Sequence, residues 1–244
     1  MTPVMANFVG GVVSSLVAVA LVETYLRLRR AQERRHLARA LGFRRTTCSI
    51  VPTRYDREPG SPPLTGARDA IALAYVLSAC HDVRTEPVVE WDDPMDGLFK
   101  SNLISIGSWS GNKLTAALMR QYCPGFVTHN AEAELTDFAS IYYTCGPHRF
   151  VGDEDITHGF IVRLTTAQTG IPGSVTLVWG HYGVGTIAAA QMLTRNSALL
   201  RPFLDRGSFV VALAANRNLG YRAVSRNLLD ISDHAFAPPA GTAS

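Results

Sequence analysis

Two short loops hold the residues whose types and spacing point most directly to chemistry. The first, Gly107-Ser108-Trp109-Ser110-Gly111-Asn112, follows the apolar run 103–106 and precedes an amphipathic stretch at 113–122. The second, Gly180-His181-Tyr182-Gly183-Val184-Gly185-Thr186, follows the run 175–179 and opens another apolar helix. Glycines between a strand and a helix let main-chain N–H groups approach an anion at the helix N-terminus, where the dipole favours negative charge. Gly107, Ser108, Gly111, Asn112, Gly180, His181, Gly183, Gly185 and Thr186 are therefore candidate ligand contacts. The competing explanation for such glycines is a tight turn that needs their backbone freedom. Neither loop is a P-loop, because no Lys precedes Thr186, and neither fits GxGxxG in register. Trp109 stands where a GxSxG nucleophile elbow needs its serine, which removes a serine hydrolase of that kind.

An acidic string, Glu90-Trp91-Asp92-Asp93-Pro94-Met95-Asp96, ends a strand-like run that begins at residue 86. Dinucleotide folds hold ribose hydroxyls with an acid at the tip of their second strand, so Glu90 and Asp92 join the candidates. The string also resembles the DDxxD magnesium motif of prenyl-chain synthases. That motif lies on a helix and has an acidic partner, whereas this string follows a strand, contains Pro94 and has no second acidic site. Cys145 and His148, with Asp153, Asp155 and His158 nearby, lack the second ligand pair of a zinc site. No metal, cofactor or catalytic residue is assigned. Arg54 and Asp56 (beyond the first strand) and Asn216 (beyond a later one) belong to the same edge.

The elements that must position these residues alternate. A buried strand at 48–51 is followed by a Pro/Gly-rich loop, a helix at 67–79, and strands at 86–91 and 103–106. A helix at 113–122 comes next, and then a stretch of weak signal to residue 150 with one candidate strand at 140–144. Strands at 159–165 and 175–179 form a hairpin through Gly170-Ile171-Pro172-Gly173, before a helix from 186 to about 203 and strands at 209–214 and 221–231. Strand, loop and helix in that order signal a mostly parallel sheet covered on both faces. The expectation is a Rossmann-like three-layer α/β domain with an antiparallel hairpin. All its strand-to-helix loops then emerge on one edge of the sheet.

Ahead of that domain, residues 4–22 read VMANFVGGVVSSLVAVALV, with no charge and with Asn7, Ser14 and Ser15 as the polar exceptions. A helix of that length covers roughly 28 Å, close to the hydrocarbon thickness of a bilayer. The residues before the run carry no Lys or Arg, which is the reverse of a secretory signal. Eight arginines follow within residues 27–45, opposed by Glu33 alone. The positive-inside rule then places the chain after the run in the cytoplasm. That segment carries +7 of a net charge of +3, leaving −4 for the rest, so the domain has no basic face for nucleic acid. The division expected is a transmembrane anchor (1–26), a basic juxtamembrane helix with Gly42 as C-cap (27–45), the α/β domain (46–233) and a disordered tail (234–244). Expected partners are membrane lipid through the anchor and the Arg-rich arm, an anionic small molecule, and a second copy through the small-residue face of Gly11, Ser15 and Ala18. The four cysteines show no CxxC spacing and suit a reducing compartment.

Three functions stay open: a membrane-anchored cytoplasmic domain binding a nucleotide or similar anion, as a sensor does; a transferase or hydrolase of a nucleotide-type substrate; and a non-catalytic scaffold at the membrane. The enzyme alone requires a carboxyl group of strongly perturbed pKa in the strand-tip pocket.

Overall fold

The computed structural model describes residues 3–43, 47–55, 65–91, 102–129, 141–222 and 224–238; for 3–16, 220–222 and 224–226 it describes the main chain alone. One helix, α1 (Pro3–Leu41), contains both the apolar run and the arginine-rich arm. Its residues 17–35 are exposed, and burial begins only at residues 36 and 37. Among the described residues no helix is long and apolar enough to cross a membrane. Most of the apolar run (4–16) lies outside the residues whose side chains are described. Gly42 ends α1 at φ +67°, with Gly42 N–H donating to Arg39 O and Phe43 N–H to Ala38 O. This paired pattern is a Schellman cap with glycine at its left-handed position.

The chain then lays down β1 (Thr47–Pro52), α2 (Ala67–Asp82), β2 (Glu86–Val89), β3 (Asn102–Ile106) and α3 (Lys113–Tyr122). Three short strands follow, β4 (Phe126–His129), β5 (Tyr142–Cys145) and β6 (His148–Val151), then β7 (Ile156–Leu164), a single turn α4 (Thr166–Thr169) and β8 (Val175–Gly180). The last elements are α5 (Gly183–Arg195), α6 (Arg201–Leu204), β9 (Phe209–Asn216), β10 (Val224–Asp230) and α7 (Ser232–Phe236). Seven strands form one mixed sheet in the order β10-β9-β7-β8-β3-β1-β2. From β2 to β8 neighbours are parallel; β8-β7, β7-β9 and β9-β10 are antiparallel. The β7–β8 hairpin is the one expected from Gly170 to Gly173, and Gly170 (φ +72°) closes α4 within it.

Strand residues alternate cleanly between two cores. On β9, Phe209, Val211 and Leu213 face α2, α5 and the end of α1, while Val210 and Ala212 face the other way. The second face carries α3, α7 and the separate antiparallel sheet β4-β5-β6. Aromatic residues of the small sheet supply much of the cover on that face. Phe126, Tyr143 and Phe150 pack edge-on or tilted against Phe160 and Trp179, at centroid distances of 5.1–6.2 Å. Two corrections concern helices. The stretch expected as one helix to residue 203 breaks at Asn196 into a 3₁₀ turn (Ser197–Leu200) and α6, whose second residue is Pro202. The expected tail contributes to α7, where Ala235 is fully buried against β9 and the small sheet.

The helix arm meets the domain at the edge where the parallel strands begin. Ser174, just before β8, donates its hydroxyl to Leu41 O, and Arg163, near the end of antiparallel β7, donates to Arg39 O. The strand-to-helix loops after β1, β3 and β8 leave from the opposite edge.

Candidate functional site

The loops after β3 and β8 lie side by side, because these strands are parallel neighbours and Gly107 N–H donates to Val178 O at 3.0 Å. Their residues have divergent fates. Asn112 is buried and committed at both ends: its Oδ1 caps α3 by accepting from Thr115 N–H (3.0 Å), and its Nδ2 donates to Val51 O and Ile106 O (3.1 and 3.0 Å). It fastens the tips of β1 and β3 together. Ser108 and the exposed Ser110 share a hydroxyl contact of 3.0 Å at the start of α3, open to a ligand, with Gly111 beside them.

The second glycine loop is a close-packed joint. A methyl group on Gly180 would lie 2.4 Å from Gly185 C and Thr186 N, and one on Gly185 would lie 2.2 Å from His158 O. These glycines let α5 seat against β7 and β8, and Thr186 is buried beneath them. Gly183 differs, since the atom nearest its missing Cβ belongs to the Arg68 side chain. His181 turns to the aromatic face, stacked on Tyr182 at 4.5 Å and edge-on to Tyr143 at 5.1 Å. Burial, reinforced by neighbouring His158, lowers His181 to about 4 and keeps the ring neutral at physiological pH. Glu90 stands two strands away from the β3 loop and accepts a hydrogen bond from Ser49 Oγ (3.0 Å). Asp92 lies outside the described residues, as does Asp56.

Sequence reasoning missed the residues that complete this edge. Thr53 and Tyr55 follow β1, and Arg68 and Asp69 lie in the first turn of α2. Gly107, at φ +117°, has room for Thr53: a methyl there would fall 1.6 Å from Thr53 Oγ1 and 3.5 Å from Asp69 Oδ2. Asp69 is 7% exposed; burial raises its carboxyl above the usual range, and a hydrogen bond from the Thr53 hydroxyl partly offsets this. Burial, then the Asp69 charge, likewise raises the Tyr55 phenol. The signal was present in α2, where Asp69 interrupts an otherwise apolar buried stripe of Ala72, Val76, Ala79 and Cys80.

Two of the helices that start here lack a side-chain cap, α2 after Gly66 and α5 after Tyr182. Their first intrahelical bonds are Ala70 N–H to Gly66 O and Thr186 N–H to Tyr182 O, so the preceding amides of each helix have no intrahelical acceptor; those of α2 start at exposed Ala67 and Arg68, whereas at the α5 start only Gly183 is partly open. The stem of Arg68 lies across Gly183 and so joins the two helix starts. The crevice between β1 and β3, where α2 covers one face of the sheet and α3 the other, is the switch point at which open α/β sheets hold ligands. Among the described residues no three His, Cys, Asp or Glu side chains gather as a metal site.

Fold and edge together define a mixed α/β domain, Rossmann-like in its parallel half. No protein-family model matches the chain, and no curated protein matches it.

Proposed function

We propose that this chain is a single-pass, membrane-anchored protein whose cytoplasmic α/β domain binds a nucleotide or other anionic small molecule at the strand-tip edge. The carrying observation is the pair of uncapped helix starts, α2 and α5, bridged by Arg68. Helix-start amides without an intrahelical acceptor and a guanidinium favour a phosphate or carboxylate there. Ser108, Ser110 and Tyr55 supply hydroxyls for its uncharged part. Thermal unfolding of the full chain in detergent should shift upward with nucleoside phosphates. Arg68→Glu should abolish that shift and leave the unliganded melting temperature within about 2 °C, because the residue is exposed. A ligand shift retained in Arg68→Glu would contradict this placement.

The anchor is supported by the charge pattern and by Val17, Val19, Leu21 and Val22, which are exposed on α1. A reporter fused after residue 244 should be active only in the cytoplasm. Activity on the other side of the membrane would refute this topology.

Asp69 favours a second reading, in which the same pocket transfers or hydrolyses a nucleotide-type group. A buried carboxyl whose proton is held more tightly than usual is suited to general acid–base work. If so, Asp69→Asn loses turnover while ligand-induced stabilisation persists; if the domain only binds, no turnover exists to lose.

A further inference from the structure

A cavity of about 530 Å³ opens between the arm of α1 and the end of α2, lined by Arg27, Arg30, Arg34, Arg35, Asp82 and Arg84, with short apolar side chains between them. Five guanidinium groups thus face one carboxylate. Arg27 pairs with Glu23, but among the described residues no carboxylate pairs with Arg30, Arg34, Arg35 or Arg84. A cavity of about 490 Å³ that shares Arg30, Arg34 and Asp82 with the first adds Glu33 and Arg195, so its charges are closer to balance.

The conformation of Arg84 is an independent observation. At φ +59° it is the only non-glycine residue with positive φ among those described. It occupies the left-handed position of a Schellman cap: Arg84 N–H donates to His81 O and Thr85 N–H to Cys80 O. The same motif at the end of α1 uses Gly42. Glycine is the low-cost residue for this position, and a side chain there strains the backbone. The arginine kept at a glycine position is one that lines the unbalanced cavity, and strain of this kind is typically retained for binding. The cap bonds also occupy the α2 carbonyls that would otherwise repel an anion.

We propose that this cavity binds the phosphorylated headgroup of an anionic phospholipid. The inference rests on α1 being a membrane anchor. Counting from residue 22 at the hydrocarbon boundary, Arg27 sits about 7 Å and Arg34 about 18 Å along the helix. The headgroup layer of one leaflet is roughly 5–7 Å thick. Arg27 therefore lies at the outer edge of the headgroup layer, and Arg34, roughly 11 Å beyond it, is reached only by a phosphate carried outward on an extended headgroup. Guanidinium groups bind phosphate oxygens in a bidentate manner.

The test uses the full chain in non-ionic detergent, titrated with a short-chain phospholipid whose headgroup bears a phosphomonoester. The zwitterionic lipid, the deacylated headgroup and inorganic phosphate are titrated in parallel. The phosphorylated lipid should bind tightest. Arg84→Gly should weaken it at least tenfold and raise the melting temperature, because backbone strain is removed together with the guanidinium. Arg30→Gln should also weaken binding, whereas Arg29→Gln, which lies off the cavity, should not. Unchanged binding in Arg84→Gly, or an equal loss in Arg29→Gln, overturns the site. Equal affinity for the deacylated headgroup overturns the lipid as its source. Alkaline carbonate extraction of the same proteins from membranes separates the two claims. A chain that resists extraction while Arg84→Gly binds normally refutes the groove alone, and a chain that is extracted refutes the anchor.

Discussion

At the scale of single residues, environment rather than residue type decides each role. His181, a candidate ligand contact by sequence, is stacked on Tyr182 with Tyr143 of the small sheet edge-on to it. Its folded pKa, about 4, lies below the ordinary value of about 6.5. The stability that this neutral ring contributes is fully present above pH 6.5 and falls as pH drops toward 4. Wild-type protein should lose on the order of 2 kcal/mol across that window relative to His181→Phe. Equal pH profiles in denaturant titrations of the two proteins would show that the ring is not desolvated as described. The loop glycines teach a related lesson. Their spacing marked a strand-to-helix junction correctly, yet spacing alone does not separate an amide cradle from a packing joint. That distinction depends on how closely α5 approaches His158, and His158 lies 27 residues from Gly185 on β7. Asp69 is legible as a charge on an apolar stripe, but no motif surrounds it to mark a function.

At the scale of elements, the parallel half was readable because its strands are continuous apolar runs and its helices amphipathic. The placement of α3 coincides with the expected 113–122, and β1, β3 and β8 lie within a residue or two of their expected bounds. The small sheet was not readable. Its strands are four residues each, with partial alternation, and they acquire definition only from the aromatic surface of β7 and β8. Phe126 sits at the centre of that surface, facing Trp179 at 5.3 Å and Phe160 at 5.2 Å. Phe126→Ala should cost about 3–5 kcal/mol, the range for deleting a buried aromatic ring. It should also redden the Trp179 fluorescence as water reaches that face. A loss under about 1 kcal/mol would mean the small sheet is not part of the folding unit.

At the scale of the whole molecule, the sheet has two poles. The arm of α1 joins the edge where the parallel strands begin, and the loops bearing Thr53, Gly107 and Gly183 open at the other, about 20 Å away for a six-residue strand. If the arm lies at a membrane surface, as proposed, the strand-tip edge is turned away from the bilayer and the arginine cavity toward it. The charge asymmetry in the sequence separates the basic arm from the mildly acidic remainder by count. It did not foretell that Arg84, 49 residues beyond Arg35, closes a cavity with the arm. That convergence depends on where α2 ends.

The central claim, an anionic ligand at the strand-tip edge, is tested most directly by native mass spectrometry of the full chain purified in mild detergent. The account predicts a bound phosphate- or carboxylate-bearing small molecule on the wild type, retained in Arg84→Gly and lost in Arg68→Glu. A ligand retained in Arg68→Glu, or no ligand on the wild type even after incubation with nucleoside phosphates, would contradict it.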